Sequence, residues 1–226
     1  QYYSLDSLRQ RKIQAERSYQ SEQNRLSAGM STQTKVLSAR EAVSSAEASI
    51  LSAESNLEKT KESLCLMLGW SYGANVEIGA LPEPDLEQIG AIDVEADIQT
   101  ALENNYSLRL TEKRLANART DKVKSTLEQT KKNQREAISA SVKNGYTGLI
   151  LARSNYEQAQ QAFELERISM DSAARKLAAG TITPNAYYDQ EDAYLTAEVE
   201  VRTRKLALLT AFAEYWWAVE GLASAS

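Results

Sequence analysis

The chain has 226 residues, 42% of them hydrophobic and 25% charged, with a formal net charge of −5. It contains no His and a single cysteine, Cys65, which excludes an intrachain disulfide, a Cys/His metal site and His-based nucleophilic catalysis. No carboxylate stands alone in an apolar stretch, as a tuned acid–base pair requires, so the chain is read as no enzyme, with no catalytic, cofactor-binding or metal-ligating residue.

Positive and negative residues are interspersed, which argues against a nucleic-acid partner. No apolar run approaches the ~20 residues of a transmembrane helix, so no direct membrane span is expected. Gly (9) and Pro (3) are scarce in a composition rich in Ala, Glu, Lys, Gln and Leu, which predicts an all-α chain.

In chain order, residues 1–28 carry a weak heptad seam: Leu5, Leu8, Lys12, Ala15, Tyr19, Glu22 and Leu26. The segment closes at Leu26-Ser27-Ala28-Gly29, where glycine can take the positive φ that ends a helix. After it, Ser31 or Thr32 can cap a second helix. The seam of that helix runs Val36, Ala39, Val43, Ala46, Ile50, Ala53, Leu57, Thr60, Leu64 and Met67, with spacing 3,4,3,4 throughout. Cys65, set among Leu64, Leu66 and Met67, reads as a buried, inert thiol.

Gly69-Trp70-Ser71-Tyr72-Gly73 ends this hairpin, with Trp70 expected to pack the following linker onto the helix ends. Gly79, Pro82, Pro84 and Gly90 punctuate an extended linker, and Asp93 is placed to cap a short amphipathic helix ending near Asn104-Asn105. From Tyr106 to Ala178 there is no Pro, and the local pattern reads as one continuous helix of ~110 Å at ~1.5 Å per residue. Gly145 falls on its seam and reads as a close-packing point. Between Arg119 and Glu136 the seam fades into a polar, mostly basic stretch. A solvated face is the default for that stretch, and an anionic-partner site the alternative.

The seam returns at Val142, Gly145, Leu149, Ala152, Tyr156, Ala159, Phe163, Glu166, Met170, Ala173 and Leu177, and the chain meets a second glycine, Gly180. Thr181 or Thr183 can cap the last helix, with Pro184 in its first turn. Its seam is Tyr187, Gln190, Tyr194, Ala197, Val201, Arg204, Leu208, Ala211, Tyr215 and Ala218. Off that seam, Leu195, Val199, Leu206, Leu209, Phe212 and Trp216 predict burial against more than one neighbour.

The two glycines mark an internal duplication. Leu26-Ser27-Ala28-Gly29 returns as Leu177-Ala178-Ala179-Gly180 at an offset of 151, which also pairs Thr32 with Thr183, Ala46 with Ala197 and Glu47 with Glu198. The expected fold is therefore elongated antiparallel coiled-coil helical hairpins in two repeats, a single helical domain over 1–226. Repeat one covers 1–70, a linker 71–93, a short helix 94–104 and repeat two 105–226.

Arg25-Leu26-Ser27-Ala28-Gly29, Val36-Leu37-Ser38-Ala39-Arg40, Leu68-Gly69-Trp70, Leu81-Pro82-Glu83-Pro84, Ala101-Leu102-Glu103-Asn104-Asn105 and Val142-Lys143-Asn144-Gly145-Tyr146 resemble, in this order, the TolC-like outer-membrane efflux protein family. The likeness is to its helical periplasmic portion. The strand pair that the family inserts before its second descending helix would fall around Arg119 to Gln134, where no period-two alternation exists. Family topology also implies a reversal near Lys122 to Asn133, whereas an unbroken helix would force exchange of hairpins between chains.

The resemblance implies a homo-oligomer, a trimer, acting as a helical conduit in the extracytoplasmic envelope, periplasmic or outer-membrane-associated. It implies a membrane-fusion adaptor protein as partner, no cofactor and no covalent chemistry. The adaptor-contact tips it implies are Leu26, Ser27, Ala28, Gly29, Met30 and Ser31, with Leu177, Ala178, Ala179, Gly180 and Thr181. The competing expectation is a non-transporting structural coiled-coil scaffold of the cell envelope.

Overall fold

The computed structural model describes residues 2–71 and 79–222, with side chains from Ser4 onward. Tyr72 and Gly73 of the expected hairpin terminus, and the linker positions up to residue 78, lie outside the described residues. Among the described residues the fold is all-α, with no strand. The helices are α1 (Tyr2–Ser27), α2 (Gln33–Met67), α3 (Leu86–Gly90), α4 (Val94–Asn104), α5 (Tyr106–Ala116), α6 (Asp121–Ala178) and α7 (Pro184–Trp217), followed by a π-helical turn at Ala218–Leu222.

The chain divides into two compact units, Gln1–Ala80 with Gln161–Thr203, and Leu81–Gln160 with Arg204–Ser226. In unit one, α1 and α2 form the first hairpin. Lys12 reaches Glu47 at 3.0 Å and Arg9 reaches Glu54 at 3.2 Å, the crossing pattern of antiparallel neighbours. The seam predicted for α1 is buried or half-buried at every position from Leu5 to Leu26. That of α2 holds from Val36 to Leu57 and then departs from expectation. Leu64 and Met67 are 41% and 76% exposed, while Cys65 is buried. A strict 3.5-residue repeat drifts around a helix of 3.6 residues per turn, and the buried line passes from Leu57 to Lys61 and Cys65 instead.

The C-terminal stretch of α6 and the first part of α7 form the second hairpin of this unit. Phe163 and Tyr194 stack with ring centroids 5.2 Å apart, and Gln190 Nε2 donates to Glu166 at 2.6 Å. These contacts lie on the seam read from the sequence. Their alternation with small residues such as Ala173 and Ala197 lets the helices approach closely.

Unit two carries the densest core: Ile89, Ile98, Leu102, Leu108, Ile138, Val142, Leu149, Leu208 and Tyr215 are all buried. Each such aliphatic side chain contributes about 2 kcal/mol relative to exposure. The Asp93 carboxylate accepts hydrogen bonds from the Glu95 and Ala96 amides, and α4 ends at Asn104 as expected. Asn105 then caps α5, accepting from the Leu108 amide at 3.0 Å while its side-chain amide donates to the Gly221 carbonyl at 3.0 Å. Gly221 sits at φ 94°, and a Cβ there would lie 2.7 Å from the Asn104 carbonyl carbon and oxygen. Only glycine fits this close approach of the chain end to α4.

Three expectations are corrected here. The linker is not wholly extended, because Asp85 caps the five-residue α3 by accepting from the Gln88 amide at 2.9 Å. Trp70 is half exposed rather than packed over helix ends. Gly145 does lie at a close contact within α6, where an added Cβ would stand 3.5 Å from the Tyr215 ring and 3.9 Å from its Cα, so alanine would also fit.

The third correction concerns residues 106–178, which do not form one unbroken helix. The α5 helix stops at Ala116, where the Asn117 side chain and main-chain amide both bond the Lys113 carbonyl, at 2.9 and 3.3 Å. The α6 helix starts at Asp121, after the Asn117–Thr120 turn. Gln134 donates to Ser107 Oγ at 3.1 Å and Lys131 pairs with Glu112 at 2.8 Å, so α5 and the start of α6 run antiparallel. The reversal lies just before the Lys122 to Asn133 window, and its pairs form within one chain, so hairpin exchange is not needed.

Candidate functional site

The two glycine tips of unit one are built from backbone hydrogen bonds. At the first, the Gly29 amide donates to the Leu26 carbonyl at 2.9 Å and the Met30 amide to the Arg25 carbonyl at 2.7 Å. At the second, Gly180 donates to Leu177 at 2.9 Å and Thr181 to Lys176 at 2.9 Å. Both are Schellman closures, with Gly29 at φ 70° and Gly180 at φ 69°. The next helix is capped alike in each case. Thr32 Oγ1 accepts from the Lys35 amide at 3.4 Å, and Thr183 Oγ1 from the Ala186 amide at 3.2 Å. Every donor and acceptor in this network obeys the 151-residue offset seen in the sequence.

The tips differ in their side chains. At the first, Ser31 Oγ donates to Glu22, and Arg25 pairs with Glu22 at 3.1 Å. The Ser31 hydrogen bond, with a smaller contribution from Arg25, holds the Glu22 carboxyl below its ordinary range. At the second tip the matching positions are Ala173 and Ile182, and Thr181 Oγ1 bonds the Lys176 carbonyl at 3.0 Å instead. Ser27, Ala28, Gly29 and Met30 are exposed, Leu26 and Ser31 half-buried, while Ala178 to Thr181 are exposed and Leu177 half-buried.

Above the tips, α1 meets α7 in a polar cluster that the sequence did not single out. Arg17 Nη2 bonds Glu191 at 2.7 Å, its Nη1 lies 3.7 Å from Asp192, and the guanidinium sits 4.3 Å from the centre of the Tyr188 ring. Arg17, Tyr188 and Asp192 also line a groove of about 530 Å³, together with Gln14, Ser18, Ser21, Glu22, Asn185 and Asp189. Arg17 is 12 residues before Gly29 and Glu191 is 11 after Gly180, so each lies roughly 17 Å from its own tip at ~1.5 Å per residue. The Arg202–Asp6 pair at 3.8 Å keeps the same register further along. The two tips are therefore level at one end of unit one. No single residue type announces this cluster. Only the offset of 151, read as two hairpins side by side, could have brought Arg17 and Glu191 together in advance.

Among the described residues no group of His, Cys, Asp and Glu is arranged to hold a metal ion, and no helix is long and apolar enough to cross a membrane.

Residues 1–70 match the family model described as outer membrane efflux protein. A search of curated proteins finds no match. Among solved structures, the Campylobacter jejuni CmeC outer membrane channel is similar at 13% identity with a TM-score of 0.56. The alignment covers all of this chain and 60% of that one. The resemblance to the TolC-like outer-membrane efflux family, read from the sequence, thus has a family-model match in the first hairpin and a fold match along the whole chain.

Proposed function

We propose that this chain is a non-catalytic component of an envelope efflux or export system, a TolC-like protomer that forms part of a helical conduit. In this reading it assembles as a homotrimer outside the cytoplasm, in the periplasm or at the outer membrane. It docks to a membrane-fusion adaptor protein through Leu26 to Ser31 and Leu177 to Thr181. The observation that carries the reading is the pair of matched tips, 151 residues apart, closed by the same hydrogen bonds and set level with one another. Two tips closed by the same backbone hydrogen bonds suit a partner that offers repeated grooves. Exposed Leu37 and Leu51 on α2 and Leu165 and Ile168 on α6 supply apolar surface for neighbouring protomers.

The test is the native mass of the full-length protein, with and without detergent. A trimer is expected, and a detergent-independent monomer overturns the conduit. A second reading, a non-transporting scaffold of the envelope, draws on the absence of strands among the described residues. It predicts a defined oligomer whose deletion leaves export of every tested compound unchanged, whereas the conduit predicts lost export.

A further inference from the structure

The α5–α6 hairpin separates charges that the rest of the chain keeps mixed. Residues 106–136 hold nine Lys and Arg against four Asp and Glu, within a chain of net charge −5. Five of these cations, Lys113, Arg114, Arg119, Lys122 and Lys124, crowd the Asn117–Thr120 turn, and all five are exposed without an ion-pair partner among the described residues. Asp121 and Glu128 are exposed nearby and offset only part of that charge.

Folding accounts for some of these cations and not for others. Lys113 and Arg114 stand in the last turn of α5, where cations complement the helix dipole. Lys122 and Lys124 stand in the first turn of α6, where the dipole opposes cations and acids would be favoured. Their placement gives up helix stability and leaves a positive field at the turn, which points outside the fold for its explanation. Between them Val123 is 48% exposed, an apolar side chain flanked by two long cationic ones.

That combination fits a lipid headgroup layer, with cations at phosphate level and a short apolar side chain dipping beneath. It fits nucleic acid poorly, because no aromatic residue lies between Tyr106 and Tyr146 to stack a base.

We infer that the turn end of the α5–α6 hairpin is a peripheral contact for anionic lipid headgroups, made by Arg119, Lys122 and Lys124 with Val123 at the interface. The inference rests on the envelope reading above for the presence of a bilayer within reach. It replaces the default reading of this stretch as a merely solvated face.

The test is co-sedimentation of the full-length protein with phosphatidylcholine vesicles, with and without phosphatidylglycerol. Binding should require phosphatidylglycerol and weaken with added salt. Each cation removed should cost about fivefold, so Arg119→Gln, Lys122→Gln and Lys124→Gln together should lose on the order of a hundredfold. A control with the same charge change in unit one, Arg11→Gln, Arg40→Gln and Lys59→Gln, should retain binding. Removing cations from a helix start does not threaten folding, which circular dichroism of the triple variant would check. Equal binding to neutral vesicles, or full binding by the triple variant, overturns the inference. Tighter binding to a DNA duplex, lost in the triple variant, overturns it in favour of nucleic acid. A trimer that ignores vesicles defeats this inference alone, and a vesicle-binding monomer defeats the conduit alone.

Discussion

Removing one oxygen atom from Tyr215 tests the account of unit two. Its hydroxyl donates to Asp97 Oδ2 at 2.6 Å, and its ring is buried with its Cδ2 beside Gly145. Tyr215→Phe keeps the ring, so its contacts with Gly145 and Tyr146 survive. What is lost is a hydrogen bond to a charged acceptor, about 1.5–3 kcal/mol when no replacement is found. Asp97 is half-buried, and water recovers part of that, so a loss of about 1.5 kcal/mol is expected.

The same contact has a signature in pH. Burial first, then the Asp97 carboxylate, push the Tyr215 phenol above its ordinary value. A raised folded-state value means that the stabilisation is complete below the unfolded value, near pH ~10, and is lost as pH rises beyond it. Urea melts at one protein concentration, followed by tryptophan fluorescence, should show wild type losing stability above that pH. Tyr215→Phe should lack this component of the alkaline loss. An unchanged midpoint for Tyr215→Phe, with an alkaline limb identical to wild type, would refute the reasoning.

Three further outcomes follow from the same structure. Gly221→Ala should destabilise unit two by roughly 2 kcal/mol or more, because strain at φ 94° adds to a 2.7 Å clash with Asn104, read as a lowered thermal midpoint. Gly29→Ala and Gly180→Ala meet open space and should each cost only about 1 kcal/mol, from the positive φ alone; a far larger loss in thermal melts would mean that the tips are packed. Cys65, buried and free, should react with a thiol reagent only on unfolding, and immediate modification of the folded chain would contradict its burial.

Much of this architecture was legible in the sequence. Seams of α1, α6 and α7 depend on spacing alone, and spacing is what the sequence states most directly. The tips were legible for a similar reason. Gly29 and Gly180 are the positions that need positive φ, and the threonines three residues on are the caps. Less visible was the Asn117–Thr120 turn, because no Gly or Pro marks it. There Asn117 ends α5 by bonding the Lys113 carbonyl with its side chain, a competition with the helix ladder that any Asn can enter and few win. The failure of the α2 seam after Leu57 had another cause, since a strict heptad count ignores the slow rotation of a straight helix. The Arg17 cluster was hidden because it joins residues 174 apart, which no local pattern connects.

The tips carry one consequence beyond their shape. Each is closed by amide-to-carbonyl bonds that any residue can make, and the demand on side-chain identity falls on a single glycine. Ser27, Ala28, Met30, Ala178 and Ala179 make none of the side-chain bonds that close the turn. Form and chemistry are thereby decoupled. Such a tip can exchange its surface residues while its curvature stays fixed, so the turn sets the frame and leaves the chemistry it displays free to vary.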